Sequence, residues 1–146
     1  MKHLLTKLKK AIFDVLESMF FMFPEEFEGG IVIGRKWEKY IITISGEEGY
    51  TLDFYFNRNL GRLMAVNYLG EKEANITDQL VDETCKEAVN VITGNLLNNL
   101  HINYTIGVPS KVEMDKPFSF QEKAEEHNVI TLNIETQPFM VVIKSN

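Results

Sequence analysis

The sequence has one cysteine and no long apolar run, and both shortages exclude classes of protein. Cys85 has no second cysteine with which to pair, so no disulfide can form within the chain, which fits a reducing cytosol. The longest fully apolar run near the start, Met19 to Phe23, is far shorter than the roughly 20 residues of a membrane-spanning helix. The lysine-rich first ten residues precede no cleavage site with small residues, so we expect an amphipathic helix there rather than a signal peptide.

Positive charge and histidine are also scarce. The 146 residues include 15 lysines and arginines against 21 acidic residues, which gives a net charge of −6, whereas a nucleic-acid-binding domain normally presents a basic face. The three histidines, His3, His101 and His127, are scattered, and no pair has the spacing of metal ligands. We therefore expect a cytoplasmic protein with no nucleic-acid partner, no membrane partner and no metal site.

The composition that remains is that of one ordinary globular domain. Hydrophobic residues make up 45% of the chain and charged residues 25%, and a chain of this length can bury a core without disulfides or metals. We expect residues 1–146 to form a single α+β domain. In this domain, long helices pack on one face of an antiparallel sheet.

The predicted elements occur in the order helix, strands, helix, helix, strands. The first helix is expected to end at Pro24 and the second at Gly70, while the third runs from about Asp78 to Asn98 with Thr77 or Asp78 as its cap. The predicted strands are 31–33, 39–45, 50–56, 103–108, 129–134 and 139–143, with hairpin connections at 46–49 and 135–138. Residues 109–128 are polar and predict a long loop or a weak edge strand.

The most informative feature is a polar stripe on the predicted third helix. At about 100° per residue, Glu83, Glu87, Asn90 and Gly94 fall on one side of this helix. The apolar residues fall roughly opposite, namely Val81, Cys85, Ala88, Ile92 and Leu96. Asparagine is a poor helix former, and a glycine within a helix costs about 1 kcal/mol relative to alanine. Two unfavourable residues on the solvent face indicate that another molecule docks there.

The segment KEAVNVITGN, Lys86 to Asn95, resembles the E-x-x-N-x-x-x-G-N helix of the CheC/CheX/FliY family of chemotaxis phosphatases, most closely the CheX branch. The similarity extends to Val108-Pro109-Ser110, which resembles the strand and following proline of that family. More loosely, the order of helices and strands is similar along the whole chain. The resemblance implies hydrolysis of the phosphoaspartate on a CheY-type response regulator, in bacterial chemotaxis or a related two-component pathway. It also implies a homodimer.

The resemblance assigns a role to each residue of the motif by its position. Glu87 would be the docking carboxylate and Asn90 the catalytic amide, with Gly94 allowing close approach of the regulator backbone and Asn95 completing the motif. A carboxamide can accept a hydrogen bond from water and donate another, which orients the water for attack on phosphorus. The protein would need no cofactor of its own, because the Mg²⁺ belongs to the partner regulator.

Two departures from the family pattern leave alternatives open. Many members have Asp or Ser four residues before the motif glutamate, whereas this chain has Glu83 there and Asp82 one residue earlier, and either residue could assist the site. The spacing from Asn90 to Pro109 is also shorter than in the CheC branch. Three alternatives follow: a non-catalytic adaptor that binds response regulators, a structural protein associated with the flagellar switch, and a small-ligand-binding domain in which the stripe is incidental.

The chain also predicts two similar halves, each a helix followed by strands. Glu17 lies in the first helix, 70 residues before Glu87. At the position of Asn90, however, the first half has Phe20. If the halves are related, only the second retains a polar site, although any two amphipathic helices can be aligned about this well.

Overall fold

The computed structural model describes residues 2–27, 32–33, 36–100, 103–114, 118–119 and 128–146. These residues include three α-helices, namely α1 (Lys2–Met19), α2 (Arg58–Leu69) and α3 (Asp78–Leu100), and a short 3-10 turn at Glu73–Asn75. The strands are β1 (Pro24–Glu26), β2 (Val32–Ile33), β3 (Trp37–Ser45), β4 (Tyr50–Asn57), β5 (Thr105–Ile106), β6 (Ser110–Val112), β7 (Phe118–Ser119), β8 (Val129–Ile134) and β9 (Gln137–Ser145).

Seven of these strands form one antiparallel sheet with two similar halves. Its order is β1-β8-β9-β4-β3-β5, and β6 pairs with β3 beside β5, while β2 and β7 pair separately. The hairpins β3–β4 and β8–β9 meet at the centre of the sheet through β4 and β9. β1, which follows α1, pairs with β8, and β5 and β6, which follow α3, pair with β3. Each half therefore extends the hairpin of the other half, and the prediction of two similar halves is confirmed.

The helices cover one face of this sheet. α3 packs against both α1 and α2, and alternate strand residues join the helices in one buried core that includes Leu8, Phe54 and Ile92. β8 buries alternate residues, the pattern of a strand with one face on the core, whereas the central strands β4 and β9 are buried on both faces along most of their length. A smaller buried cluster on the opposite face contains Trp37, Tyr55, Met140 and Val142. The predicted α+β architecture, with helices on one face of an antiparallel sheet, is confirmed.

Both ends of the connection between α2 and α3 agree with the sequence. Gly70 ends α2 in the left-handed conformation, with φ of 65°, and its N–H donates to the Val66 carbonyl oxygen. The Thr77 hydroxyl accepts a hydrogen bond of 3.2 Å from the Leu80 N–H, so Thr77 rather than Asp78 caps α3.

Two predicted connections are wrong in their extent. α1 ends at Met19 rather than at Pro24, because Phe21 adopts a left-handed conformation with φ of 55°, and Pro24 begins β1. The second hairpin turn is shorter than the predicted 135–138. Only Glu135 and Thr136 form it, with φ of 51° and 68°, and two positive φ values are typical of the tight turns that match the twist of a hairpin.

The predicted strand 103–108 is also wrong in its extent. Only Thr105–Ile106 is paired, and the chain pairs again from Ser110 after Pro109. Within the polar segment 109–128, Ser110–Val112 is an edge strand on β3 and Phe118–Ser119 pairs with β2, while 115–117 and 120–127 lie outside the described residues. The predicted strand 31–33 is described only as Val32–Ile33.

Candidate functional site

The polar stripe lies on the solvent side of α3, as its spacing predicts. Glu83 and Asn90 are exposed, whereas Glu87 and Gly94 are half-buried. The five apolar residues that the sequence placed opposite are all buried, namely Val81, Cys85, Ala88, Ile92 and Leu96. α3 therefore fixes the direction of the stripe through its core-facing side, and no loop is needed to position these polar groups.

The stripe forms one side of a groove. Residues 107–109, which we call the tip, connect β5 to β6 and form the other side together with Ile106. The groove has a volume of about 490 Å³ and is also lined by Lys86 and by the stripe residues Glu83, Glu87 and Asn90. One side therefore offers two carboxylates, an ammonium group and a carboxamide, while the opposite side is mainly apolar.

The tip is attached to β3 by backbone contacts. The Gly107 N–H donates a hydrogen bond of 2.8 Å to the Thr43 carbonyl oxygen. A Cβ atom at Gly107 would lie 2.7 Å from the Thr43 hydroxyl oxygen, so a larger residue here would have to displace the Thr43 side chain. Pro109 has no N–H to pair, and it suits a position at the sheet edge between two short strands.

Asp82 belongs to a network beside the groove rather than to the groove itself. Its carboxylate accepts a hydrogen bond of 2.6 Å from the Tyr40 hydroxyl on β3 and bonds of 3.0 and 3.3 Å from the Lys111 ammonium on β6. Lys111 also lies 3.3 Å from the Glu38 carboxylate, which pairs with Arg58 at 3.1 Å. The network therefore ties α3 to β6 two residues after the tip.

The pKa shifts in this network reflect the same contacts. Burial raises the pKa of Asp82, but the hydrogen bonds from Tyr40 and Lys111 outweigh it and hold the pKa below its usual value. Burial lowers the pKa of Lys111, but pairing with Asp82 and Glu38 raises it by more, so the net shift is upward. The Tyr40 hydroxyl has a raised pKa because of its burial and the nearby Cys85 and Asp82. Within the network, Asp82 and Lys111 thus form a charged pair that the neutral Tyr40 phenol supports.

Asp82 and Glu83, either of which could assist the site, have different surroundings. Asp82 already binds Tyr40 and Lys111, whereas Glu83 lines the groove beside Glu87. The only side-chain hydrogen bond of Glu83 within the described part of the chain comes from the Gln79 side chain on the same helix, at 3.2 Å. Of these two residues, Glu83 is therefore the one that lines the groove.

Glu87 and Asn90 make no side-chain hydrogen bond and no ion pair with any of the residues that the structure describes. Their polar atoms are therefore free to bind a second molecule, and removing either side chain breaks no such contact in the described fold. Asn95, in contrast, accepts a hydrogen bond of 3.0 Å from Asn99, which makes it a residue of the helix surface rather than of the groove.

Gly94 has no structural reason within the described fold to be glycine. A Cβ atom added there would meet nothing within 4 Å, and the residue lies inside a regular helix. An unfavourable glycine that no internal contact requires is consistent with close approach by another molecule.

Among its described residues, the first half has no comparable polar group. Glu17 is exposed on α1, but Phe20, at the position of Asn90, is fully buried and stacks on Tyr68 with ring centroids 5.1 Å apart. Its backbone oxygen accepts a hydrogen bond from the Asn67 side chain. A core residue therefore occupies the position that a polar group would need.

Other chemistry has little support in the described ranges. No cluster of three or more histidine, cysteine or acidic residues there could hold a metal ion. Cys85 is fully buried, and burial raises the pKa of its thiol to about 12, so it is not a nucleophile. In the same ranges, no helix is both long and apolar enough to cross a membrane.

Sequence reasoning missed Lys86 and Val108 as groove residues. Lys86 occurs inside the motif segment, and helical spacing places it next to Glu83 and Glu87 on the solvent side. Val108 precedes a proline in a segment predicted as a strand, and its exposure depends on the local pairing with β3, which the sequence does not reveal.

A family model described as chemotaxis phosphatase CheX matches residues 40–133, more than half of the chain. No curated protein matches significantly.

Solved structures share the fold over nearly the whole chain. The chemotaxis protein CheX from Vibrio vulnificus is 16% identical, with a TM-score of 0.74, over 98% of this chain and 96% of that one. CheX from Desulfovibrio desulfuricans is 17% identical, with a TM-score of 0.71, over 99% of both chains. A chain of the CheX-CheY-BeF3-Mg²⁺ complex from Borrelia burgdorferi is 15% identical, with a TM-score of 0.68, over 97% of this chain and 96% of that one.

Proposed function

The chain belongs to the CheX family of chemotaxis phosphatases, and we propose that it hydrolyses the phosphoaspartate of a CheY-type response regulator. The observation that carries the proposal is the pair Glu87 and Asn90, which lie together on one side of an open groove and have no polar partner among the described residues. A solved complex from Borrelia burgdorferi contains a CheX together with CheY, which supports a receiver domain as the docked molecule.

In the proposed reaction, Asn90 supplies the group that orients water. Its amide oxygen accepts a hydrogen bond from the water, and its amide nitrogen can donate another. The water oxygen attacks phosphorus, the bond from phosphorus to the aspartyl oxygen breaks, and inorganic phosphate leaves as the aspartate carboxylate is restored. Orientation of this kind accounts for much of the catalysis of phosphoryl transfer.

The divalent ion of this reaction belongs to the partner in our proposal. The described part of this chain contains no cluster of histidine, cysteine or acidic residues that could hold a metal ion. Mg²⁺ in the regulator would neutralise charge on the phosphoryl group. This chain would need to add only the water-positioning amide and the contacts that hold the regulator.

Glu87 would set the register of docking. It is half-buried and lacks a cation partner in the described fold, so a lysine of the regulator can pair with it. Such a pair becomes desolvated in the complex, and removal of one partner is then costly because the other charge stays buried and unpaired.

The test is the decay of phosphate from a CheY-type regulator in the presence and absence of the protein. Wild-type protein should accelerate the decay, and Asn90→Ala should reduce the acceleration by about 100-fold or more, a typical loss for a group that stabilises the transition state. Asn98→Ala is the matched control, because Asn98 is also exposed on α3 but does not line the groove.

A binding assay on the same regulators separates the alternatives. Regulator binding without faster decay would favour the adaptor, and binding that ignores phosphorylation would favour a structural role. No effect of Asn90→Ala in any regulator assay would favour a small-ligand-binding domain. The cytoplasmic location and the homodimer both stay predictions.

A further inference from the structure

Val108 at the tip of the groove has the most exposed large apolar side chain in the described part of the molecule. Its exposed fraction is 88%, whereas the next highest values, those of Phe21 and Phe23, are 65%. Building on the proposed function, we propose that Val108 is the apolar anchor with which the groove holds the response regulator. Asn90 would then serve catalysis, and Val108 would serve affinity and partner choice.

The exposure of Val108 results from a local irregularity in the sheet. β3 is paired at Ile44 with Ile106 and at Ile41 with Ser110. Between these pairs, β3 has two residues and the opposite chain has three. One extra residue on one side is the definition of a β-bulge, and bulges redirect a side chain out of the regular alternation. The bulge therefore explains why Val108 faces solvent although it lies between two paired segments.

The tip is held from both sides, so Val108 is presented by an ordered backbone. Before it, the Gly107 N–H bonds to Thr43 at 2.8 Å. After it, Lys111 binds the Asp82 carboxylate at 3.0 Å. An apolar group that is already positioned loses little conformational freedom on binding, which makes its contact more effective.

The groove indicates which molecule covers Val108. Val108 lines the same groove of about 490 Å³ as Glu87 and Asn90. A surface that reaches Asn90 from solvent therefore also meets Val108. The expected partner surface is the phosphorylation face of a receiver domain, with a cationic group for Glu87 and an apolar depression beside it for Val108. Interfaces of this type combine a desolvated anchor with a polar surround.

The test measures binding of a phosphorylated CheY-type regulator to protein that carries Asn90→Ala, so that phosphate persists during the titration. In this background, Val108→Ala should weaken binding by about tenfold, the effect expected from removing two buried carbon atoms. Val108→Ile should restore the affinity, because it keeps the apolar contact. Leu69→Ala is the matched control, since Leu69 is 39% exposed on α2 and does not line the groove.

Each outcome of this titration supports or contradicts the inference. Weaker binding for Val108→Ala, with rescue by Val108→Ile and no effect of Leu69→Ala, supports it. Equal affinity for the Val108→Ala variant and its parent contradicts the anchor and leaves the proposed function in place. If the Asn90→Ala parent binds no phosphorylated regulator, both the anchor and the proposed function are contradicted. A melting temperature within about 2 °C of the parent should accompany both Val108 substitutions, because changes at a highly exposed position rarely alter stability by more than about 0.5 kcal/mol.

Discussion

Gly94 offers a prediction in which stability and docking change in opposite directions. In the free protein, a methyl group at this position meets no atom within 4 Å. Gly94→Ala should therefore raise the free energy of unfolding by about 0.5–1 kcal/mol, because alanine loses less backbone entropy in a helix than glycine. For a chain of this size, that gain corresponds to a melting temperature higher by about 2–4 °C.

The complex should respond differently to the same substitution. If the regulator backbone packs against α3 at Gly94, the added methyl group overpacks the interface. Overpacking typically costs about 1–3 kcal/mol, which corresponds to binding that is weaker by about 5-fold to more than 100-fold. The free energy of unfolding is measured by urea titration, and regulator binding by titration in the Asn90→Ala background.

Gly61→Ala is the matched control within a second helix. A Cβ atom at Gly61 of α2 would lie 2.8 Å from Val81 Cγ1 and 3.3 Å from Cys85 Sγ, so this substitution should destabilise the contact between α2 and α3 without altering regulator binding. The reasoning about Gly94 is refuted if Gly94→Ala destabilises the free protein. It is refuted equally if the variant gains stability and binds the regulator as tightly as its parent.

Two further substitutions separate docking from support of the site. Glu87→Gln should weaken regulator binding by about tenfold or more through loss of a desolvated charge pair, and the remaining affinity should depend less on salt; equal salt dependence in both proteins would argue against the pair. Asp82→Asn should lower stability at pH 7. Burial raises the pKa of Asp82, but hydrogen bonds from Tyr40 and Lys111 hold it below its usual value. The contribution of the carboxylate to stability is therefore complete above about pH 4 and is lost as the pH falls through the folded-state pKa. Urea titrations of wild type and Asp82→Asn should therefore converge below about pH 4, and a constant difference across this range would contradict the assignment.

Local patterns in the sequence were enough to predict the helices, the hairpins and the direction of the stripe. Cys85 and Ile92 are buried while Asn90 is exposed, because a helix with one apolar side has a single way to bury it. The hairpin from β3 to β4 was predictable for a similar reason, since the two glycines at 46 and 49 interrupt two alternating runs.

Features that depend on pairing between distant segments were not predictable. The strand near Pro109 is short because β3 contacts it in two places with one extra residue between them, and no local pattern encodes that register. The assignment of Asp82 to a supporting network required Tyr40 and Lys111, which lie 42 and 29 residues away along the chain. The early end of α1 likewise depends on Phe21, a residue with no intrinsic preference for a positive φ.

The most direct test of the central claim is a paired measurement on Asn90→Ala. The affinity for a phosphorylated CheY-type regulator and the single-turnover rate of phosphate release at saturating protein are measured on the same preparation. Our account predicts an affinity within about twofold of wild type, because it assigns the docking contacts to Glu87 and Val108, and a rate lower by about 100-fold or more. An unchanged rate, or a rate and an affinity that fall together, would contradict the assignment of Asn90 as the group that orients water.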